Sequence, residues 1–216
     1  MKKLLSSFII SLCALVPFAA SAASTFDYLW ENTFHYTTLF ESLDGYHVSG
    51  NASVDGSQLL LVADNTTGTS EVKKTPAWQG VITFSQRSRF RTTIAMADSS
   101  KAVVYYGIGD RTRQGYGFKI VDGFLYGYTN DGTTEKTTLV GAVKPGEIYT
   151  LEARFKPNSM AVFYVNRVIM GTIKSSLPRA TKVPNRNFFT ITLISADGTA
   201  KSFQTSYFEY LQTRNE

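Results

Sequence analysis

The stretch from Gly115 to Asp131 constrains the fold more than any other, because two runs of alternating apolar and polar residues flank the dipeptide Asp122-Gly123. Asp-Gly tolerates positive φ at both central positions of a tight turn, and that turn matches the right-handed twist of the strands it joins. The stretch therefore reads as an antiparallel hairpin of definite register. Val121 faces Phe124, Ile120 faces Leu125, Lys119 faces Tyr126, Phe118 faces Gly127 and Gly117 faces Tyr128. Side chains alternate along a strand, so one surface collects Tyr116, Phe118, Ile120 and Leu125 while the other collects Lys119, Val121, Phe124, Tyr126 and Tyr128. The first is the expected core and the second the expected open face.

The same grammar recurs along the chain. Further Asp-Gly pairs at 44–45, 55–56, 131–132 and 197–198, with Pro145-Gly146 and Pro157-Asn158, mark turns between short segments. Between them lie runs of period two: Phe90 to Met96, Tyr149 to Phe155, Phe189 to Leu193 and Phe203 to Tyr207. No window carries a capped helical stripe, although Thr25 to Leu43 is irregular enough to leave room for a short helical turn. Residues 64–80 read as the longest irregular excursion. Two immunoglobulin-sized sandwiches would fit the length, but no Pro/Gly/Ser-rich linker interrupts the strand-patterned midpoint, and the cysteine and tryptophan hallmarks of that fold are missing. One larger antiparallel sandwich is the expected all-β architecture.

Lys2 and Lys3, the apolar run Leu4 to Phe18 and the small residues Ala20-Ser21-Ala22 form the three regions of a secretory signal. The run contains Pro17 and falls short of the roughly 20 residues a bilayer span needs. The expected organisation is a signal peptide over residues 1–22 and one domain over residues 23–216, secreted to the exterior or to a periplasm. The only cysteine, Cys13, lies inside the leader after Leu12, where lipidation would want a small residue. Loss of Lys2 and Lys3 takes the formal net charge from +5 to +3. No clustered basic stripe suits nucleic acid, and no second apolar run suits a membrane. Without cysteine, the mature chain must draw its stability from its core.

Gly115 to Thr129, then Gly146 to Phe155, then Ala161 to Asn166, and a closing strand such as Tyr207 to Leu211 follow one another in an order that resembles the concanavalin A-like lectin and glucanase sandwiches, a group that includes laminin G-like modules. The resemblance implies a two-sheet jelly roll of the kind that binds or cleaves glycans. Related modules commonly place glycine in the turn after Tyr164-Val165-Asn166, where this chain has Arg167.

Alternation on the later strand buries Tyr149, Leu151, Ala153 and Phe155 and exposes Thr150, Glu152 and Arg154. An open face bearing Lys119, Tyr126, Tyr128, Glu152 and Arg154 offers flat rings for sugar C–H surfaces and charged groups for hydroxyls. Cross-strand aromatic pairs also stabilise a sheet in their own right. At ~25 cal/mol per Å², a tyrosine losing roughly 100 Å² to a ligand contributes about 2.5 kcal/mol. Association costs at least ~4 kcal/mol, so a single site binds weakly and retention needs several copies. The loop Gly109 to Gly115 adds Arg111 and Arg113, suited to carboxylated or phosphorylated glycans. Trp78 is a candidate stacking platform at the rim, or, like Trp30, an anchor to the core.

Catalytic constellations are missing from the sequence. A retaining glycanase would carry Glu-x-Asp-x-Glu on one strand, with acid and nucleophile about 5 Å apart, yet Glu152 and Glu209 each stand alone. A lyase would want histidine converging with tyrosine and arginine, and only His35 and His47 are available. Nucleophile-elbow, zincin and phosphate-loop motifs do not occur. Asp64, Asp110, Asn130 and Asp131 sit at expected strand ends, as turn residues or as oxygen ligands for Ca2+. Asn51 and Asn65 head N-glycosylation sequons. The expected function is therefore non-enzymatic binding of a polysaccharide or cell-surface glycan, with a protein partner in an envelope layer, or a polysaccharide lyase or glycoside hydrolase with an unrecognised site, as alternatives.

Overall fold

The computed structural model of the protein describes residues 33–40, 42–43, 46–74, 83–179 and 189–213, and among these the alternating runs become strands, with no helix. The expected leader, Trp30 and Trp78 lie outside the described residues. One sheet runs in the order β13 (Val168–Ile173), β12 (Met160–Val165), β11 (Ile148–Lys156), β6 (Ser88–Met96), β15 (Lys201–Thr213), β4 (Gln58–Ala63) and β3 (Asn51–Asp55), with β1 (Thr33–Leu39) pairing with the second half of β15. The other runs β10 (Glu135–Ala142), β9 (Phe124–Asp131), β8 (Gln114–Val121), β7 (Ala102–Gly109), β14 (Phe189–Ser195), β5 (Thr69–Lys74) and β2 (Tyr46–Ser49). All pairings are antiparallel, and the eight-stranded and seven-stranded sheets enclose a single core as a β-sandwich.

The Asp122-Gly123 hairpin has the register its turn dictates, with φ of 49° and 81° at the two turn residues. Tyr116, Phe118, Ile120 and Leu125 are buried in the core. Opposite them, Tyr149, Leu151, Ala153 and Phe155 of β11 are buried too, and the Tyr116 and Phe155 rings stack at 5.0 Å across the sheets. Buried phenols find partners: Tyr116 Oη lies 2.7 Å from Ser88 Oγ, and Tyr106 Oη accepts from Thr92 Oγ1 at 2.9 Å. Such pairing offsets the cost of burying a hydroxyl.

Three expectations change. Thr69–Lys74, inside the supposed irregular excursion, is strand β5, held between β14 and β2. Thr33–Leu39, where a helical turn had room, is a strand against the C-terminal β15. The Phe203-Thr205-Tyr207 alternation does not continue, because the register shifts between Thr205 and Tyr207. This bulge exchanges the faces. Tyr207 is left half-buried, and Phe208 and Tyr210 enter the core.

Candidate functional site

The outer face of the seven-stranded sheet carries the densest group of aromatic and charged side chains that sequence reasoning singled out. Register places Leu139, Tyr126, Lys119, Tyr105, Thr192 and Glu71 in one row across six strands. Phe124, two residues before Tyr126 on β9 and on the same face, is half exposed at 50%. The two residues thus stand about 7 Å apart along the strand. Beside them, Lys119 Nζ donates to Glu135 Oε1 at 2.7 Å and sits 4.8 Å from the centre of the Tyr105 ring. The Arg111 guanidinium, reaching in from the β7–β8 loop, lies 4.9 Å from the same ring. Tyr105 is therefore flanked by two cations, each attracted by the ring quadrupole. Burial by itself would lower the Lys119 pKa, but hydrogen bonds to Glu135 and Tyr105 outweigh it and raise the value.

Tyr128 departs from the expectation of an exposed ring: it is 2% exposed. It does not enter the core. It lies on the outer face, where its register neighbours are Gly117 and then Gly107, two residues without side chains. The phenol reaches across both, with Oη 2.7 Å from where a Cβ on Gly107 would stand. Tyr105 packs edge-on against it at 5.6 Å and 83°. Burial, reinforced by the nearby carboxylate of Glu135, raises the Tyr128 pKa. Tyr128 is a support beneath Tyr105, not a contact surface.

Glu152 and Arg154 also change place. They face outward, but β11 belongs to the eight-stranded sheet, so they occupy the opposite surface of the sandwich from Lys119 and Tyr126. Period two specifies in or out relative to a strand's own sheet and says nothing about which sheet that is. There Arg154 Nε donates to Glu152 Oε1 at 2.5 Å, and its guanidinium lies 4.4 Å from the centre of the Tyr164 ring. Arg113 is exposed on the β7–β8 loop, apart from the row just described.

The oxygen-bearing residues considered for Ca2+ act as turn caps. Asp64 Oδ1 accepts from the Thr66 and Thr67 amides, Asp110 Oδ1 from the Thr112 amide, Asp131 Oδ1 from the Thr133 and Thr134 amides, and Asn130 Oδ1 from the Gly132 amide. Among the described residues no three or more His, Cys, Asp or Glu side chains gather closely enough to hold a metal ion. His47 is exposed on β2. Glu209 and Glu152, solitary in sequence, are brought to one row on either side of Arg91. Glu209 accepts from Arg89 at 3.1 Å. Tyr105, Glu135 and Phe124 complete the face and were not among the expected site residues. Their signal was partly present: Phe124 shares the outward face of the hairpin, whereas Tyr105 and Glu135 join only through pairing between strands.

No protein-family model and no curated protein sequence matches this chain. Solved structures match the fold at low identity. A Shewanella oneidensis protein of unknown function has a TM-score of 0.58 at 11% identity, covering 85% of this chain and 87% of that one. A binding domain of botulinum neurotoxin DC, solved in complex with SialylT, has a TM-score of 0.56 at 13% identity over 79% of this chain and 43% of that one. A sialidase has a TM-score of 0.54 at 11% identity over 78% of this chain and 17% of that one. The chain spans less than half the length of the toxin domain and the sialidase. At these identities the likeness establishes the class of fold, an antiparallel β-sandwich.

Proposed function

We propose that the protein is a secreted, non-enzymatic carbohydrate-binding module of concanavalin A-like type, and that it holds a glycan on the outer face of the seven-stranded sheet. The observation that carries this reading is the run of Phe124, Tyr126 and Tyr105 beside Lys119, Arg111 and Glu135: rings for sugar C–H faces next to donors and an acceptor for hydroxyls. Structural neighbours that include a sialidase and a toxin domain bound to SialylT support a carbohydrate ligand. Phe124 takes the place that Tyr128 vacates, so two outward rings on β9 remain and a single site still binds weakly.

The test is retention of the purified protein on a glycan array and a panel of soluble polysaccharides. A positive glycan whose binding falls tenfold or more in Tyr126→Ala or Phe124→Ala supports the reading, the full loss of one desolvated ring at about 2.5 kcal/mol corresponding to roughly 70-fold. Retention of no glycan, with a protein partner covering these residues, favours the structural role in an envelope layer. The enzymatic alternative rests on Glu152 and Glu209 flanking Arg91. Release of reducing ends or unsaturated products, abolished by Glu152→Gln, would establish it instead.

A further inference from the structure

On the opposite surface, at one end of the eight-stranded sheet, a groove of about 560 Å³ is lined by Arg87, Arg89, Arg154 and Lys156 together with Met160 and Val162, and, among the described residues, by no carboxylate. Register explains the concentration of charge. Arg154 of β11 lies directly opposite Arg89 of β6, and Lys156 and Arg87 stand one position beyond the next pair, Phe155 and Ser88. Two successive like-charge pairs face each other across neighbouring strands, an arrangement that opposes folding. The four cations form a block about 5 Å by 7 Å, the strand spacing by the two-residue repeat. Of the four cations, Arg89 is paired with Glu209 and Arg154 with Glu152. Among the described residues the Arg87 and Lys156 side chains have no ion-pair partner, and Arg89 Nε is buried with no acceptor. Beside the block, Val162 pairs with Arg154 and Met160 with Lys156, so an aliphatic strip borders the charge.

We propose that this groove is a second binding site that takes an anionic amphiphile, with a phosphate headgroup over Arg87, Arg89, Arg154 and Lys156 and an alkyl chain along Met160 and Val162. Concentrated, under-neutralised positive charge selects the anion, through charge-assisted hydrogen bonds from the exposed head groups of Arg87 and Lys156. The border selects the tail: Met160 and Val162 line the groove with aliphatic surface, and the next outward residue of β12, Tyr164, lies outside the lining with its ring already engaged by the Arg154 guanidinium at 4.4 Å. The site stands apart from the glycan-binding face and does not depend on it.

Titration calorimetry of the purified protein with dodecyl phosphate below its micellar concentration tests the assignment. Inorganic phosphate, a neutral dodecyl polyethylene glycol ether and heparin serve as comparisons. The expected result is saturable binding of dodecyl phosphate that weakens about tenfold or more in Arg87→Gln/Lys156→Gln. Both side chains are exposed and, among the described residues, take part in no side-chain hydrogen bond or ion pair, so the variant is expected to keep its fold. Met160→Asp should weaken binding as well, and Tyr126→Ala on the other face should not. Equal affinity for the neutral ether would overturn the headgroup assignment, and equal affinity for inorganic phosphate would overturn the tail. Heparin binding that depends on Arg87 and Lys156, without any dodecyl phosphate binding, would make the groove a polyanionic-glycan site and refute the amphiphile.

Discussion

Tyr126 and Tyr128 differ by two positions on one strand and share one face, yet their roles diverge because of what lies beside them. Tyr126 has Lys119 as its neighbour and stays half-buried, whereas Tyr128 has Gly117 and Gly107 and lies down over them. The two alanine variants should therefore separate. Tyr126→Ala is expected to lower glycan affinity with a urea midpoint close to that of the parent. Tyr128→Ala, which empties a buried aromatic position, is expected to cost about 3–5 kcal/mol of stability. Binding and urea unfolding measured on both proteins check this, and a Tyr128→Ala protein of parental stability would contradict the supporting role. Gly107 and Gly117 were visible as glycines in strand-like runs. That they form a shared bed for Tyr128 follows only from the pairing of β7 with β8.

Among the hairpins, two turns illustrate how much local chemistry dictates. At Asp122-Gly123, residue type and backbone agree, and Asp122 Oδ1 also accepts from the Lys101 amide at 2.8 Å. At Asn166-Arg167, between β12 and β13, both residues adopt positive φ, 50° and 70°, without a glycine. Asn166 is held by two contacts to β11, donating its amide to Thr150 O at 2.7 Å and accepting the Thr150 amide at Oδ1 at 2.9 Å. Arg167 has no such support from the backbone of β11. Left-handed backbone costs a residue with a side chain roughly 1–2 kcal/mol. Part of that is regained when glycine replaces it, less the entropy glycine adds to the unfolded chain. Arg167→Gly is therefore expected to raise stability by about 1 kcal/mol or somewhat less, read as a higher urea midpoint at unchanged slope. A lower midpoint would show that the arginine side chain earns its strained place.

Across the whole molecule, Lys201 joins distant parts of the chain. Its side chain is 2% exposed, with Nζ 2.6 Å from Asp98 Oδ2 and 3.6 Å from Asp197 Oδ2. The hydrogen bond from Lys201, aided by those from Ser100, holds Asp98 down at about 2. Bonds from Thr199, with Lys201 nearby, hold Asp197 at about 2 as well. A carboxyl whose pKa is depressed by folding contributes its stability in full above the ordinary value of 3.8 and loses it as pH falls from there toward about 2. Acid unfolding is accordingly expected to steepen over that interval. Asp98→Asn should flatten it, as followed by circular dichroism; identical acid profiles would refute the linkage.

What the amino-acid order determined by itself was set by neighbours along the chain: the strand character of the alternating runs, the Asp122-Gly123 register, and which side of β8, β9 and β11 faces the core. Those properties depend on pleat and turn geometry, which act over a few residues. Tertiary structure decided the rest. It assigned β11 to the sheet opposite β8 and β9, which separated Glu152 and Arg154 from Lys119 and Tyr126. It laid Tyr128 across glycines of two neighbouring strands, and it set Arg89 against Arg154, far apart in sequence, to form the cationic groove. Pairing between distant strands is chosen by the packing of whole faces, and no local pattern encodes it.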